Sequence, residues 1–434
     1  MPPAFRGREL AREMKNSGVD WIGEIPRDWQ LVRACDLFRK KKTTGRVDAE
    51  LLSVYREHGV VPKASRDDNM NRPSDDLSAY QFVKIGDLVL NKMKTWQGSI
   101  AVSKHEGIVS PAYYVARPLV KMSLDFVHHL LRSPNYIDRY AALSSGVRVN
   151  QWDLSYDDFK AMPVPMPSIG EQRAIADYLD RQTALIDQRL STLEEKKIVL
   201  AELRKATIHE AVTKGLNKSA TMKDSGAPSH WTTVRIKDVA KLNPSILLPK
   251  LDEIDFFPME AIGVDGGLSF GQHKAVAQAG GYSQMQNGDV CFAKVTPCFE
   301  NGKSAIVEGL KAKVALATTE ITILRPNKKI NRQFLHYRIK GLDFAVDGAN
   351  EMKGAGGLKR VPERFAADFA FQLPPLSEQF AIANHLDQQT QQIDAQLSTL
   401  DEQAQVLKEL RKAIIHEAVT GKIDLSGAVS GKEK

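Results

Sequence analysis

Cysteine, long apolar runs and a secretion signal are all scarce or missing in this chain. Among 434 residues the only cysteines are Cys35, Cys291 and Cys298. Their small number and irregular spacing exclude a disulfide framework and a cysteine-based zinc site. No stretch reaches the roughly 18 to 20 apolar residues of a membrane helix. The first ten residues, MPPAFRGREL, lack the apolar core of a signal peptide. We therefore expect a cytoplasmic protein with no membrane contact.

The chain also lacks a recognisable catalytic or cofactor motif. The Gly-Lys-Ser triplet at 302–304 has Pro297 where a phosphate-binding loop requires glycine. The NPSI and LPPL segments at 243–246 and 373–376 match an amino-methyltransferase motif poorly, because no aromatic residue follows them and the Asp or Asn is missing or misplaced. No glycine-rich nucleotide fingerprint follows a predicted strand. The sequence therefore predicts no catalytic residue, no metal site and no cofactor bound by this chain.

An internal repeat is the strongest positive signal. Residues 378–420 repeat residues 171–213 at a constant offset of 207, with 29 of 43 positions identical. Neither copy contains Pro or Gly, and apolar residues recur every seven positions, which predicts a long helix of roughly 65 Å in each copy. Each apolar stripe must be covered, so we expect the copies to form an antiparallel coiled coil. The predicted helix contact comprises Leu179, Ile186, Leu193, Leu200, Leu386, Ile393, Leu400 and Leu407.

Two blocks of different character, roughly 27–165 and 226–376, precede the helices. They hold most of the Gly, Pro and aromatic residues, and short apolar runs predict strands at 87–93, 113–118, 304–309 and 320–326. Small helices are expected near 123–132 and 331–340. Each block opens with a P-x-x-W motif, at 26–29 and 228–231, but the two otherwise share little. They therefore look like one α+β fold with diverged surfaces.

The positive charge of the chain belongs to these blocks. The whole sequence has 60 Lys and Arg against 53 Asp and Glu, a net charge of +7. The first block carries +5 and the second +4, whereas the helix repeats carry −1 and −4. Basic domains contact nucleic-acid phosphates through Lys and Arg, and acidic helices would be repelled. The blocks are therefore the candidates for binding a polyanion, and the helices for spacing and protein docking.

Two variable blocks alternating with two nearly identical helices resemble the specificity subunits of type I restriction–modification systems. The resemblance covers nearly the whole chain. Its marks are SGVDWIGEIPRDW at 17–29, SGVRVNQWDL at 145–154, PSIGEQ at 167–172, PLSEQ at 375–379 and the doubled ELRKAxIHEAVT. Any one mark alone is weak, and together they are specific.

The resemblance implies an architecture and a set of partners. Each block would be a target-recognition domain that reads one half of a bipartite double-stranded DNA site in a bacterial or archaeal cell. The helices would set the spacing and bind two modification (methyltransferase) subunits, which two restriction (motor–nuclease) subunits can join. S-adenosylmethionine, with ATP and Mg²⁺ where a motor subunit joins, would be bound by those partners.

The predicted fold class is α+β: two target-recognition domains separated by two long antiparallel helices, with a pseudo-two-fold internal repeat. The expected boundaries are 1–26 for an N-terminal lead, 27–168 for the first recognition domain, 169–216 for the first spacer helix, 217–376 for a short linker and the second recognition domain, 377–423 for the second helix and 424–434 for a tail.

Two other interpretations remain open at this point. The chain could be a methyltransferase or nuclease fusion with its own catalytic site, which would require a cofactor or metal motif. Alternatively it could be a coiled-coil scaffold that does not bind DNA, which would leave the basic charge of two diverged blocks unexplained.

Side chains with hydrogen-bond donors beside the predicted strands are the candidate DNA contacts. In the first block these are Lys92, Lys94, Trp96, Gln97, Ser110, Tyr113, Arg148, Asn150 and Gln151, and in the second Lys294, Thr296, Lys303, Thr318, Thr319, Lys359 and Arg360. The run Arg39 to Lys42 fits a phosphate contact and a solvated loop equally well. The segment matching SGVRVNQWDL in the second block is GGLKRVPERF at 356–365, with Pro362 where Asn would be expected, so a role for Asn150 does not transfer.

The Arg148→Ala variant tests base reading in the first block. If Arg148 contacts a base edge, its removal should weaken binding to the cognate site by about 1–3 kcal/mol and leave binding to random DNA nearly unchanged. Competition binding with cognate and random duplexes measures the difference. An equal loss on both duplexes would refute base reading.

Overall fold

The computed structural model describes residues 12–56, 58–66, 72–148, 151–247, 252–275, 280–354 and 357–428, apart from the side chains of residues 147, 148, 151 and 428. The chain divides into two compact units. Unit 1 is Met1–Thr192 with Glu402–Lys434, and unit 2 is Leu193–Asp401. The division falls inside both long helices, and the domain boundaries expected from the sequence stay predictions.

Unit 1 is a mixed structure of short strands and helices. Its described strands are β1 Met14–Asn16, β2 Glu24–Pro26, β3 Gln30–Arg33, β4 Phe38–Lys40, β5 Leu52–Tyr55, β6 Gly59–Pro62, β7 Gln81–Val83, β8 Leu88–Asn91, β9 Ile100–Val102, β10 Gly107–Val109, β11 Tyr113–Pro118, β12 Ser145–Arg148, β13 Gln151–Asp153 and β14 Pro163–Met166. Its helices are α1 Ala34–Leu37, α2 Leu124–Leu131, α3 Pro134–Leu143 and α4 Tyr156–Lys160, and α5 Ile169–Lys214 begins in it.

An antiparallel sheet with the order β4-β11-β8-β9 lies at the centre of unit 1. All four residues of β8 are buried, as its apolar sequence LVLN requires. Helix α2 begins at Ser123, whose hydroxyl accepts the Phe126 N–H and caps the helix. Its buried residues Phe126 and Leu130 join the core that also contains Trp29.

Unit 2 contains the remaining elements. Its described strands are β15 Thr232–Arg235, β16 Ala240–Leu242, β17 Glu253–Phe257, β18 His273–Ala275, β19 Ser283–Gln286, β20 Val290–Ala293, β21 Ser304–Ile306, β22 Val314–Ala317, β23 Ile321–Pro326 and β24 Ala370–Leu373. Its helices are α6 Ile236–Val239, α7 Arg332–Ile339, α8 Leu342–Asn350 and α9 Glu363–Asp368, and α10 Leu376–Val419 begins in it.

Unit 2 repeats the fold of unit 1. Its sheet β16-β23-β20-β21 has the same order and antiparallel pairing as β4-β11-β8-β9. The buried carboxylate of Asp87 pairs with Arg117 at 3.1 Å, and that of Asp289 pairs with Arg325 at 2.8 Å. The α+β class with an internal repeat is confirmed. One difference is a second four-stranded sheet in unit 2, β18-β17-β22-β19, where β7 pairs with β10 and β5 with β6 in unit 1.

Within each unit, segments of the two long helices run antiparallel. In unit 2, Lys197 pairs with Asp401 at 2.8 Å. Seven residues further along α5, Arg204 pairs with Asp394, seven residues back along α10, at 3.0 Å. In unit 1, Arg411 of α10 lies 3.4 Å from Asp187 of α5.

The residues predicted to form the helix contact differ in burial. The members near the start of each helix, Leu179, Ile186, Leu386 and Ile393, are buried. Those further along, Leu193, Leu200, Leu400 and Leu407, are only half-buried. Packing between two helices buries only one side of each helix. Near the helix starts, the globular core of each unit packs against another side and buries these residues fully.

One repeated junction fixes each long helix to the globular part of its unit. The Trp29 Nε1 donates to Glu171 Oε2 at 3.0 Å, and Trp231 Nε1 donates to Glu378 Oε2 at 3.1 Å. The backbone N–H of Ser123 donates to Gln172 Oε1 at 2.8 Å in the first unit. These contacts explain why both the P-x-x-W motif and the Glu-Gln pair are repeated in the sequence.

Glycine is required where the other long helix ends against this junction. Gly421 has a φ of +74° and Gly215 a φ of +73°, which L-residues rarely adopt. A Cβ atom at either position would lie 3.0 Å from the tryptophan ring of its unit, and at Gly421 it would also overlap Pro26.

In the described ranges, no helix is both long and apolar enough to cross a membrane.

Removing the junction tryptophan should destabilise the unit that contains it. Trp29 has no exposed surface, so Trp29→Ala should lower the free energy of unfolding by about 3–5 kcal/mol through lost burial and a cavity. Urea denaturation of the purified chain measures this effect. Leu31→Ala is the matched control, because 36% of Leu31 is exposed and its loss should cost far less. Equal losses for both variants would contradict the junction's role.

Candidate nucleic-acid interface

The residues predicted in the first block come together at one end of the central sheet. Lys92 and Lys94 follow β8, and Tyr113 begins β11, where it pairs with Asn91 of β8. The hairpin β12–β13 is attached to the same place, because the Leu154 N–H donates to the Lys92 carbonyl at 3.1 Å. Lys94 is exposed there, and Lys92 is half-buried.

Several of these side chains already have partners. Trp96 donates its Nε1 to the Met93 carbonyl at 2.9 Å and packs against Trp152, with the ring centroids 4.9 Å apart. Gln97 Oε1 accepts from Arg56 at 2.8 Å. Trp96 therefore supports the hairpin through Trp152, and only the amide nitrogen of Gln97 lacks a partner among the described contacts.

The other predicted residues of this block divide into two groups. Ser110 Oγ accepts the Ala112 N–H at 3.3 Å, and burial raises the pKa of Tyr113, which keeps its hydroxyl protonated. Asn150 lies outside the described residues, as do the side chains of Arg148 and Gln151, whose backbones pair in the hairpin.

In the second block the predicted residues also converge. The Lys294 N–H donates to the Glu320 carbonyl at 2.9 Å, next to Thr318 and Thr319 in the turn before β23. The Thr296 hydroxyl and backbone both bond to Lys359, with each donor–acceptor distance 3.0 Å. Lys303 closes the turn after β20, since its carbonyl accepts the Ala293 N–H at 3.0 Å.

Arg360, a predicted DNA contact, forms an ion pair in the structure. Its guanidinium bonds to both carboxylate oxygens of Glu320, at 2.8 and 3.0 Å. These hydrogen bonds lower the pKa of Glu320, so the pair remains charged at neutral pH. About half of the Arg360 side chain is nevertheless exposed. A DNA contact by Arg360 therefore competes with this ion pair.

A polar pocket of about 300 Å³ adjoins Lys294 and Thr319. Residues that were not predicted as DNA contacts complete its wall: Asn243, Pro244, Ser245, Gly281, Tyr282, Ser283 and Gln284. Gln284 Oε1 accepts the Ile246 N–H at 2.7 Å, which fixes the orientation of the amide. None of these described wall residues is acidic. They come from separate segments with no motif, so no sequence pattern would have grouped them.

The structure also corrects the alignment of the segment at 356–365 with the segment that contains the β12–β13 hairpin. The Val361 N–H donates to the Lys294 carbonyl at 2.8 Å, as the Leu154 N–H donates to Lys92. Pro362 then immediately precedes α9, as Ser155 immediately precedes α4. Pro362 is therefore the counterpart of Ser155 and not of Asn150.

Buried titratable groups elsewhere are poorly suited to chemistry at neutral pH. Burial lowers the pKa of His128 and of His336 to about 3, so both imidazoles are neutral. Burial raises the pKa of Cys291 to about 12, so its thiol stays protonated. Among the described residues, no three His, Cys, Asp or Glu side chains are grouped to hold a metal ion.

Comparison with known proteins gives consistent similarities. The family model described as type I restriction modification DNA specificity domain matches residues 228–404. The specificity subunit of the type I restriction enzyme EcoAI of Escherichia coli is 36% identical over 197 residues, which cover 42% of this chain and 32% of that protein. In this and the similar EcoEI alignment, the chain therefore spans about a third of the relative's length.

Weaker similarities extend over nearly the whole chain. The specificity subunit of StySPI from Salmonella potsdam is 21% identical, with 92% of this chain and 90% of that protein covered. A chain from a solved structure concerning complex assembly and conformational transition of the type I R-M system aligns with a TM-score of 0.66 at 17% identity. It covers 92% of this chain and 99% of that chain, which shows a shared fold.

The Glu320→Gln variant tests whether Arg360 can reach DNA. Loss of the carboxylate removes the partner of the guanidinium and one negative charge beside Lys294. Binding to any duplex should tighten, and its salt dependence should steepen by about 0.9 in logarithmic slope if one more phosphate is neutralised. Fluorescence anisotropy over a salt series measures both quantities. If neither changes, Arg360 does not contact DNA.

Proposed function

We propose that this chain is the DNA-recognition subunit of a type I restriction–modification complex, because a family model for type I DNA specificity domains matches residues 228–404 and the similar proteins are specificity subunits. Each unit reads one half of a bipartite site. The chain itself supplies no catalytic group, and it acts in the cytoplasm of a bacterial or archaeal cell, where the DNA lies.

One observation carries this proposal: the two units share a fold but present different side chains at the same end of the same sheet. Lys92 and Lys294 occupy equivalent positions after β8 and β20. Around them the hydrogen-bonding groups differ, with the Trp96–Trp152 pair in unit 1 and the Arg360–Glu320 pair in unit 2. A shared fold with different surface donors is what reading two different base sequences requires.

The predicted contact residues form two sets around these lysines, which we propose as the DNA-facing surfaces within residues 27–168 and 217–376. Lys94 and the β12–β13 hairpin extend the first set, and Thr319, Lys303 and Lys359 extend the second. Exposed lysines contact phosphates, while the hairpin and the polar pocket beside Lys294 face base edges.

The long helices would set the distance between the half-sites. Helix α5 has 46 residues and α10 has 44, which correspond to roughly 65–70 Å of helix. Half-sites on one face of DNA lie about 34 Å apart for each helical turn. Helices of this length suit a spacer on that scale.

The same helices would bind two modification subunits, which two restriction subunits can join. Leu203 and Leu410 occupy the same position of the repeat and are 50% and 43% exposed. Ile198, Val199 and Val406 are also exposed apolar residues on these helices. Apolar side chains left uncovered at repeated positions fit two copies of one partner. S-adenosylmethionine, and ATP with Mg²⁺ where a motor subunit joins, would be bound by these partners.

Methylation mapping of host DNA tests the proposal. The neighbouring modification subunit is expressed with and without this chain, and adenine methylation is read on single molecules. We expect methylation at a split motif only when both proteins are present, because recognition depends on this chain. A stable complex of the two proteins that produces no new methylation would refute recognition and favour a scaffold.

A further inference from the structure

The two units differ in charge at the edge of equivalent sheets. Strand β4 leads into the basic run Arg39 to Lys42, all of it exposed. Lys40 pairs with Ala116 of β11, and Leu242 of β16 pairs with Leu324 of β23 in the same register. The counterpart of the basic run is therefore Lys241-Leu242-Asn243-Pro244, which has one basic residue in place of four.

In unit 1 this edge brings two ammonium groups to one aromatic ring. The Lys40 Nζ lies 4.5 Å from the centroid of the Tyr114 ring, and the Lys92 Nζ lies 4.8 Å from the same centroid. The Lys40 Nζ also lies 5.4 Å from the Tyr156 ring centroid. Lys92 donates to the Pro111 carbonyl at 3.1 Å. Long-range pairing of β4, β8 and β11 produces this arrangement.

Neither ammonium group has an ion-pair partner within the described part of unit 1. Lys160 and, more weakly, Lys40 lower the pKa of the nearby Asp157 carboxyl. Other lysines of the unit have carboxylate partners, such as Lys104 with Asp125 at 3.1 Å and Lys160 with Asp157 at 2.6 Å. No described carboxylate lies within ion-pair distance of Lys40 or Lys92. Two like charges near one ring repel each other, and an aromatic face offsets only part of that cost. An anion bound between the two ammonium groups would offset this repulsion.

The described residues of unit 2 contain no counterpart of this group. Leu242 stands at the position of Lys40, and the buried Thr322 stands at the position of Tyr114. Glu363, the first residue of α9, stands where Tyr156 begins α4. Of the three residues around the first site, only the lysine after the strand is retained, as Lys294.

We propose that Lys40, Tyr114 and Lys92 form a clamp for one DNA backbone phosphate beside the first half-site, and that the second unit lacks such a clamp. This inference rests on the proposed function. Since the Lys92 carbonyl also holds the β12–β13 hairpin at 3.1 Å, a phosphate bound here fixes the position of the hairpin relative to the bases. The first unit therefore supplies more of the salt-dependent affinity than the second.

The test uses the complex of this chain with modification subunits, and measures binding over a salt series to a cognate and a random duplex. The Lys40→Gln/Lys92→Gln variant should reduce the logarithmic salt slope by about 0.9 on both duplexes, because one phosphate contact is lost. Its methylated motif should be unchanged. Lys104→Gln is the matched control, because it removes a charge that Asp125 already pairs and should leave the slope almost unchanged.

Other outcomes would overturn the clamp. A slope unchanged in the double variant, with the same thermal unfolding midpoint as the unsubstituted complex, would mean that no phosphate binds there. A loss confined to the cognate duplex would assign the lysines to base reading. An equal reduction for Lys294→Gln and for Lys92→Gln alone would refute the difference between the units. If the unsubstituted complex prefers no sequence, the proposed function fails, and the slopes on random DNA still decide the clamp.

Discussion

The indole N–H of Trp29 bonds to Glu171 at 3.0 Å inside the core, and that of Trp231 bonds to Glu378 at 3.1 Å. This bond joins the start of each long helix to the residue just before β3 in unit 1 and just before β15 in unit 2. The end of the other long helix passes so close to the same ring that Gly421 and Gly215 are needed there. The arrangement of each unit therefore depends on one buried, hydrogen-bonded tryptophan. Its loss would remove contacts among the start of one long helix, the end of the other and the globular part of the unit.

Because the tryptophan junction and the central sheet are the same in both units, the surface side chains of the two units can differ. The pairs Asp87–Arg117 and Asp289–Arg325 hold the same two strands together in both units, since a buried carboxylate must keep its cation. Residues outside this framework carry no such constraint. At one end of the sheet, unit 1 therefore presents lysines on tyrosine rings and unit 2 a polar pocket, without any change in strand order.

The charged residues of the framework and of the candidate interface also differ. Cations that stabilise each fold are paired, as Arg204 is with Asp394 in the helices. Lys40 and Lys92 have no ion-pair partner among the described residues, and both lie where the candidate interface forms. An excess of unpaired positive charge on one surface attracts a polyanion at long range and places it over the groups that can read it.

The repeat, the two long helices and the basic character of the blocks could be predicted from the amino-acid sequence alone. These depend on local periodicity and composition, which one segment carries alone. Strand pairing was needed to find that Lys92 and Lys294 follow equivalent strands and that Lys40 meets Lys92 at Tyr114. It was also needed to find that Glu320 pairs with Arg360 and that Pro362 corresponds to Ser155. Each of these depends on strand pairing between distant segments, and no local pattern records which distant residue will lie opposite.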